Sequence, residues 1–339
     1  MKKKIDCPYC DGHALLAKEL RDMTYRKESY SVFGYYYKCN LCNKEFTTID
    51  TDTVTLNQAH NQYRETYGIP FVDEISSTRE KYDLSATKMC EVLGLGVNSY
   101  SNFENGEVPS VAIGNLISTA KKPTVFLDFV EKSKHYFTAN SFEKLIDKVK
   151  YLIKKEEEVA EESVCIINQF EEPNQFTGYK KTHSNKIANL LTIFISENKR
   201  QFNDRLKLNK LFFYLDFGHY KKHGFSITGL SYRAIQYGPV PTFYDNIFTF
   251  FENEQVIESN WEKDSNGAAR ENFTTRNNFD DKVFLKEEIE TINEVINTFR
   301  DIPSWDLVEL SHKERAWIEL EKTKGIISYQ TYAFDIQGI

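Results

Sequence analysis

Cys7-Pro-Tyr-Cys10 and Cys39-Asn-Leu-Cys42 hold four of the six cysteines, in two pairs separated by 28 residues. A Cys-x-x-Cys pair lets two thiolates bite one ion from a tight turn. Two such turns complete a tetrahedral site with no open position. The spacing predicts one structural Zn2+ per chain, held by Cys7, Cys10, Cys39 and Cys42. Four unliganded thiols would give no reason for it. Between the pairs, Leu15-Leu-Ala-Lys18 and Tyr30-Ser-Val-Phe-Gly-Tyr-Tyr-Tyr37 are strand-like, β-branched and aromatic, with Gly34 as a break. The expectation is a small antiparallel sheet clipped by metal, too small to bury much core, with metal binding coupled to its folding. Cys90 and Cys165 have no Cys or His partner in sequence and read as small apolar residues.

Beyond this module, 339 residues are enough for two or three domains. Hydrophobic residues at 40% against 27% charged can build real cores, which excludes general disorder. With 15 Gly and 8 Pro, collagen-like and low-complexity classes are excluded too. No apolar run approaches the ~18 residues of a membrane span, so no membrane partner is expected. The basic opening Met1-Lys-Lys-Lys-Ile-Asp-Cys7 lacks the apolar stretch of a secretory signal, and paired cysteines fit the reducing cytoplasm. The formal net charge is −7, so any nucleic-acid binding must come from a local patch.

After Gly68-Ile-Pro70 the pattern turns helical. Ile75, Arg79 and Tyr82 share one face of a first helix. Ser85 is an N-cap candidate for a second, whose apolar face carries Met89, Val92 and Leu93. Gly94-Leu-Gly96 makes a tight turn. Val97 to Gly106 reads as a third helix, with Val97, Tyr100 and Phe103 inward and Asn98, Ser99, Ser101 and Asn102 outward. Two short helices joined by a glycine turn are a helix-turn-helix, whose second member enters the major groove. Asn can pair with adenine and Ser can reach bases or phosphate. Periodicity alone equally allows an ordinary helical hairpin with solvated polar residues.

Residues 1 to about 137 resemble the MqsA-type antitoxins, which join a YgiT-type four-cysteine zinc domain to a Xre-like helix-turn-helix. The two knuckles carry the resemblance, with Arg79-Glu-Lys-Tyr-Asp-Leu-Ser-Ala86 and Gly96-Val-Asn-Ser-Tyr-Ser-Asn-Phe-Glu-Asn-Gly106 followed by Pro109-Ser110. It implies that Asn98 and Asn102 stand where the family reads bases, that the chain is a homodimer, and that it binds double-stranded palindromic operator DNA. The chain departs at Asn102, where the family usually has arginine. That removes a guanine-reading fork and one charge.

Ser141 to about Glu162 is a long helical stretch with Phe142, Leu145, Val149 and Leu152 at seam spacing. A coiled coil and a helix packed on its neighbour both fit, the second slightly better. The acid run Glu156–Glu162 reads as a solvated face and spacer, and Glu171–Gly178 as an exposed connector.

In the last part, Ile187, Leu190, Leu191, Phe194 and Ile195 mark an amphipathic helix. Leu208, Leu211, Phe212 and Leu215 mark a second, closed by Gly224. Tyr232–Tyr237 is a strand broken by Gly238-Pro-Val-Pro241. Phe243, Ile247, Phe250 and Phe251 form a third helix, and Ile289, Ile292, Ile296 and Phe299 a fourth. Ser311-His-Lys-Glu314 reads as a capping box opening a helix with Trp317. His219 and His223 lie one turn apart as in a metal helix, but no general-base glutamate or third ligand accompanies them, and a half-exposed helix face is the better reading. No phosphate loop, nucleophile elbow or Cys–His pairing is present, which argues against an enzyme.

Lys207-Leu-Asn-Lys-Leu-Phe-Phe-Tyr214, Tyr237-Gly-Pro-Val-Pro241 and Leu310-Ser-His-Lys-Glu-Arg-Ala-Trp317 resemble, in order, the Panacea or SocA-like domain of antitoxins and phage-associated proteins. The resemblance covers about residues 183–325 and implies a domain that binds and neutralises a toxin encoded beside it. Among the aromatics near the proline-rich turns, Tyr237, Tyr244 and Trp305 are the candidates for exposed anchors, while Phe243 and Trp317 read as core.

The expected fold is α+β, mostly α. A small zinc-bound β module (1–67) precedes a helix-turn-helix helical domain (68–137), a helical and acidic linker (138–178), and an α-rich C-terminal domain with a minor β-sheet (179–339). The expected function is an antitoxin that neutralises a co-encoded toxin and autoregulates its operon. The alternatives are a stand-alone regulator with a ligand- or phage-protein-sensing C-terminal domain, and a metal enzyme using His219 and His223.

Overall fold

The computed structural model describes residues 1–161, 172–198, 202–263, 267 and 269–339, with the side chains of 157–161 outside the description. Cys165, Glu162 and Glu171 therefore lie outside the described residues. The chain forms two compact units. The first is Met1–Met23 with Ser29–Ala59 and Ile166–Ile339, and the second is Thr24–Glu28 with His60–Cys165. The fold is mostly helical, with a small N-terminal sheet, a helical middle and a helical C-terminal part bearing minor sheets.

The first unit opens on a four-stranded sheet, β1 (Lys4–Asp6), β2 (His13–Tyr25), β3 (Glu28–Cys39) and β4 (Glu45–Phe46), in sequence order. Ala14, Tyr37 and two cysteines form its small core, joined by Ile5, Leu16 and Phe46. Tyr37 stacks on Phe46 at 5.8 Å. The sheet is longer than the two expected strands because β2 and β3 continue as a hairpin to a two-residue turn at Arg26 and Lys27.

A helix not expected from the sequence follows, α1 (Ile49–Tyr67). Its buried positions mix Thr51, Thr55, Gln58, Asn61 and Arg64 with Val54, Ala59 and Tyr63, so its packed face gives no clean hydrophobic period. Gln58 acts like a strand edge. Its side chain accepts from the Phe33 amide at 2.8 Å and donates to the Phe33 carbonyl at 3.0 Å.

The C-terminal part of this unit is built round α9 (Arg205–His223), which is buried on every side from Lys207 to Tyr220. Against it pack α8 (Ser184–Glu197), the hairpin β5 (Tyr232–Ile235) and β6 (Gly238–Pro241), α11 (Lys286–Phe299) and α12 (Ser304–Ser311). Between these run α10 (Tyr244–Asn253) and a second hairpin, β7 (Glu258–Lys263) with β8 (Ala269–Thr274). Asp216 ties the loop after α9 to the helix, accepting from the amides of Ile227 (2.8 Å) and Thr228 (2.9 Å) and from the Tyr232 hydroxyl (2.7 Å). The N-terminal sheet is fastened to this part. Phe33 stacks on Phe334 at 4.7 Å, Lys18 pairs with Asp335 at 2.8 Å, and Tyr35 donates to the Lys221 carbonyl at 3.3 Å.

Two local expectations change. Gly238–Pro241 pairs with Tyr232–Ile235 as a strand and does not break one. Its prolines fit because this two-stranded sheet leaves them on an edge. Ser311 ends α12 and donates to the Val308 carbonyl, so the Ser311–Glu314 capping box does not form. Glu314 precedes α13 (Arg315–Leu320) and accepts instead from the amides of Gln337 (3.0 Å) and Gly338 (3.0 Å). The last α-helix is α14 (Tyr329–Tyr332), followed by a 3-10 turn, Ala333–Asp335.

The second unit is helical: α2 (Val72–Glu80), α3 (Ala86–Leu93), α4 (Ser99–Glu104), α5 (Val111–Ala120), α6 (Pro123–Lys132) and α7 (Ala139–Glu161). Ile75, Tyr82, Met89, Tyr100, Ile117, Phe126 and Val130 fill its core. Tyr82 and Phe126 stack at 3.7 Å. The seam of α7 goes into the same core, with Leu145 and Val149 buried and Phe142 and Leu152 packed against them. This is the neighbour-packed arrangement, not a free coil. Glu156 pairs with Lys81 at 2.6 Å.

Candidate functional site

The sheet brings its two ends together. β2 starts after the first knuckle and β3 runs into the second, so the sulfurs of Cys7, Cys10, Cys39 and Cys42 all lie within 4.8 Å of one another. Cys7 Sγ is 3.8 Å from Cys42 Sγ, and Cys10 Sγ is 3.5 Å from Cys39 Sγ. A tetrahedral zinc with Zn–S of about 2.3 Å would set its sulfurs roughly 3.8 Å apart, so the set fits such an ion with little movement. Amides point at the sulfurs: Tyr9 N to Cys7, Gly12 N to Cys10, and Leu41 N to Cys39. The amide of Cys42 lowers the Cys39 thiol most, and the Leu41 amide adds to it, whereas at Cys10 the Gly12 amide is outweighed by burial and the neighbouring thiols, which push that thiol up. At Cys39 these donors favour the thiolate, the ligand form. Gly12 is a site residue that the cysteine spacing does not reveal. A Cβ there would lie 2.7 Å from Leu41 Cβ and 3.1 Å from Cys39 Sγ, so the first knuckle closes on the second only with glycine. Among the described residues, this is the one group of three or more His, Cys, Asp or Glu side chains placed to share a metal.

His219 and His223 do not join such a group. Their rings stack at 4.4 Å, and His219 Nδ1 sits 3.0 Å from Thr291 Oγ1. His219 is buried, not half-exposed, because α9 is covered on all sides, and burial pushes its imidazole well below the ordinary range.

The helix pair α3–α4 is built as its sequence suggests at the first helix and differently at the second. Ser85 caps α3, accepting from the Lys88 amide at 3.2 Å, and Gly94 closes it at φ +65°. The second helix is shorter than Val97–Gly106. It begins at Ser99, and Val97 stands 86% exposed instead of packing inward. The reason is Asn98, whose φ of +64° breaks the helical path before Ser99. Tyr100 and Phe103 are buried, while Asn98 and Asn102 are exposed and Ser99 and Ser101 half-buried. Tyr100 donates its hydroxyl to the Ile75 carbonyl at 2.8 Å, and Arg79 Nε reaches Glu104 at 2.7 Å.

In the C-terminal part, the three blocks of the Panacea resemblance meet in space. Lys210 Nζ, buried and lowered by that burial to about 7, donates to the Pro239 carbonyl at 3.0 Å. A side chain at Gly238 would run into Ser311 Oγ and Lys210 Cε. This brace holds out the turn carrying Tyr237. Tyr237 (43% exposed) and Trp305 (50% exposed) meet edge to face at 5.7 Å. Tyr244 is half-buried. Phe243, expected in the core, is exposed at the start of α10, whose buried face is Ile247, Phe248 and Phe251. Trp317 is half-buried, stacked on His312 at 3.8 Å and donating to the Ile235 carbonyl at 2.8 Å.

No helix among the described residues is long and apolar enough to cross a membrane. Residues 5–128 match the family model of MqsA, the antitoxin component of a bacterial toxin–antitoxin system. Residues 208–318 match that of the antitoxin SocA-like Panacea domain. Neither the curated proteins nor the solved structures give a match. The chain is a fusion of an MqsA-type antitoxin segment with a SocA-like Panacea antitoxin domain.

Proposed function

We propose that this chain is the antitoxin of a toxin–antitoxin pair. Its C-terminal domain, within 179–339, binds and neutralises a co-encoded toxin, and the helix pair α3–α4, within 68–137, binds operator DNA and represses the shared operon. The four-cysteine segment, 1–67, holds one structural Zn2+, and 138–178 connects the parts. The carrying observation is that two different antitoxin models match successive parts of one polypeptide.

Neutralisation is by occlusion, and the chain performs no chemistry. Exposed aromatics are the residues that anchor such interfaces, which favours Tyr237 and Trp305, with the half-buried Tyr244 as a third candidate. For DNA, Asn98 and Asn102 read bases while Ser99 and Ser101 approach phosphate. A homodimer presents two such helix pairs to a palindrome. Toxin and operator, bound to one dimer, are thermodynamically linked.

The test is co-expression with the neighbouring reading frame in a cytoplasmic host, read by growth and by pull-down. The proposal expects a product that is toxic alone, harmless with this chain, and captured by it. Trp305→Ala should weaken capture by about 2 kcal/mol or more. A harmless neighbour, or a toxic one that this chain leaves active, would overturn the antitoxin reading and leave the stand-alone regulator.

A further inference from the structure

The segment that follows α4 is held from outside by two guanidinium groups. Arg26 donates to the carbonyls of Val108 (2.6 Å) and Pro109 (2.8 Å). Arg64 donates to the carbonyls of Glu107 (3.0 Å) and Gly106 (3.4 Å). Four successive carbonyls, directly after the helix that carries Asn102, are thus engaged by two arginines. All of these residues belong to the second unit.

The arrangement is built, and at a cost. Arg26 and Lys27 form the whole turn of the β2–β3 hairpin at φ +48° and +76°. A turn with both central residues left-handed favours Asn-Gly, and Arg-Lys there is strained. Strain of this kind persists where the surroundings enforce it, and it marks functional positions. The Arg26 guanidinium lies 5.3 Å from the ring centres of both Tyr25 and Tyr63. Arg64 is 2% exposed, and burial brings its guanidinium down to about 10. Neither arginine makes an ion pair among the described residues; both Nη atoms of Arg26 and Nη2 of Arg64 donate to the 106–109 backbone, and Arg64 Nε is buried without a hydrogen-bond partner.

We propose that Arg26 and Arg64 are positioning residues for DNA reading: they fix the backbone after α4, and with it the placement of Asn98 and Asn102, without touching DNA. This rests on the DNA-binding reading above. Carbonyls are good acceptors for charged donors: the Arg26 fork spans two of them, Arg64 Nη2 is shared between the other two, and together they lock the path more firmly than neutral bonds would. At Arg26, lysine, a point donor, cannot reproduce a bridge made by two nitrogens.

The experiment uses the full zinc-loaded chain, a duplex from the region preceding its own gene, and a random duplex of equal length. Three changes are compared: Arg26→Ala, Arg26→Lys, and the pair Arg26→Asn with Lys27→Gly. The paired change relaxes the turn and so should not lower thermal stability. Positioning predicts that it weakens binding to the upstream duplex by about tenfold, the scale of one charge-assisted bond. Binding to random duplex and the salt slope should stay as in wild type, and Arg26→Lys should recover only part of the loss. Equal losses on both duplexes with a shallower salt slope would make Arg26 a phosphate contact and overturn the proposal. Unchanged affinity in the paired variant would also overturn it. A wild type that does not prefer the upstream duplex removes the DNA-binding reading itself, and this proposal with it.

Discussion

The sulfur of Cys90 accepts a hydrogen bond from the amide of Tyr100 at 3.3 Å, joining the middle of α3 to the first turn of α4. The first amides of a helix have no partner within it. Here the preceding helix supplies one, and the interhelical turn is fixed by it. Cys90 is 3% exposed, so no water can replace the sulfur. Cys90→Ala removes both the acceptor and a buried atom, and should destabilise the second unit by about 1–3 kcal/mol in chemical unfolding. A variant as stable as wild type would show that the contact contributes nothing.

The cysteine cluster is coupled to the far end of the sequence. Phe33 and Tyr35 sit on the strand that ends at Cys39, and both rings lie against Phe334, at 4.7 and 6.1 Å. Cys39→Ser should abolish binding of one metal per chain, melt the small sheet, and raise hydrogen exchange in 329–335 as well. Because the ligands must be thiolates, metal should also be released as pH falls. Metal content read by emission spectroscopy beside exchange mass spectrometry tests both. Full metal content in the variant, or exchange unchanged at 329–335, would contradict the coupling.

His60 gives the second unit a pH dependence of definite sign. Burial, with Arg64 and Arg26 nearby, brings its imidazole down to about 4. The unfolded chain takes up that proton near pH 6.5. Stability from this group is therefore complete above about pH 6.5 and is lost progressively down to about pH 4. His60 is half-buried, and solvent screening reduces the effect to about 1 kcal/mol. Urea unfolding at pH 7 and pH 5, in wild type and His60→Gln, measures it. The variant should lose less stability over that interval, and equal losses would count against the assignment.

What could be read in the sequence was what is local. The two knuckles, the Ser85 cap, and the apolar stripes of α8 and α11 each depend on neighbours within a turn or two. What the sequence does not show has a different cause. The packed face of α1 is mostly polar, with Val54, Ala59 and Tyr63 among Thr, Gln, Asn and Arg, so it shows no clean apolar period. Ser311 and Glu314 have capping-box spacing, but the Glu314 carboxylate is taken by amides at 337 and 338, which nothing local announces. Gly238–Pro241 looked like a breaker because proline cannot donate, yet an edge strand does not need those donors. At the candidate sites the same divide holds. The four clustered cysteines are legible, whereas Gly12 meets side chains, and Arg26 and Arg64 meet backbone, that are distant in sequence.

Asn98 stands at φ +64°, exposed, one residue before α4, and this changes how its role must be tested. Asparagine tolerates the left-handed region, and alanine there costs about 1–2 kcal/mol. Asn98→Ala would therefore mix backbone strain with loss of the amide. Asn98→Gly keeps the backbone at ease and removes only the side chain. If Asn98 makes a paired contact to adenine, both variants should weaken binding to the upstream duplex by about 1–3 kcal/mol and leave random duplex unaffected. Only the alanine variant should also lower thermal stability. If Asn98 serves the turn alone, the glycine variant binds as wild type does. Anisotropy titrations on the two duplexes, with a melting curve for each variant, separate an amide that reads a base from an amide that suits a turn.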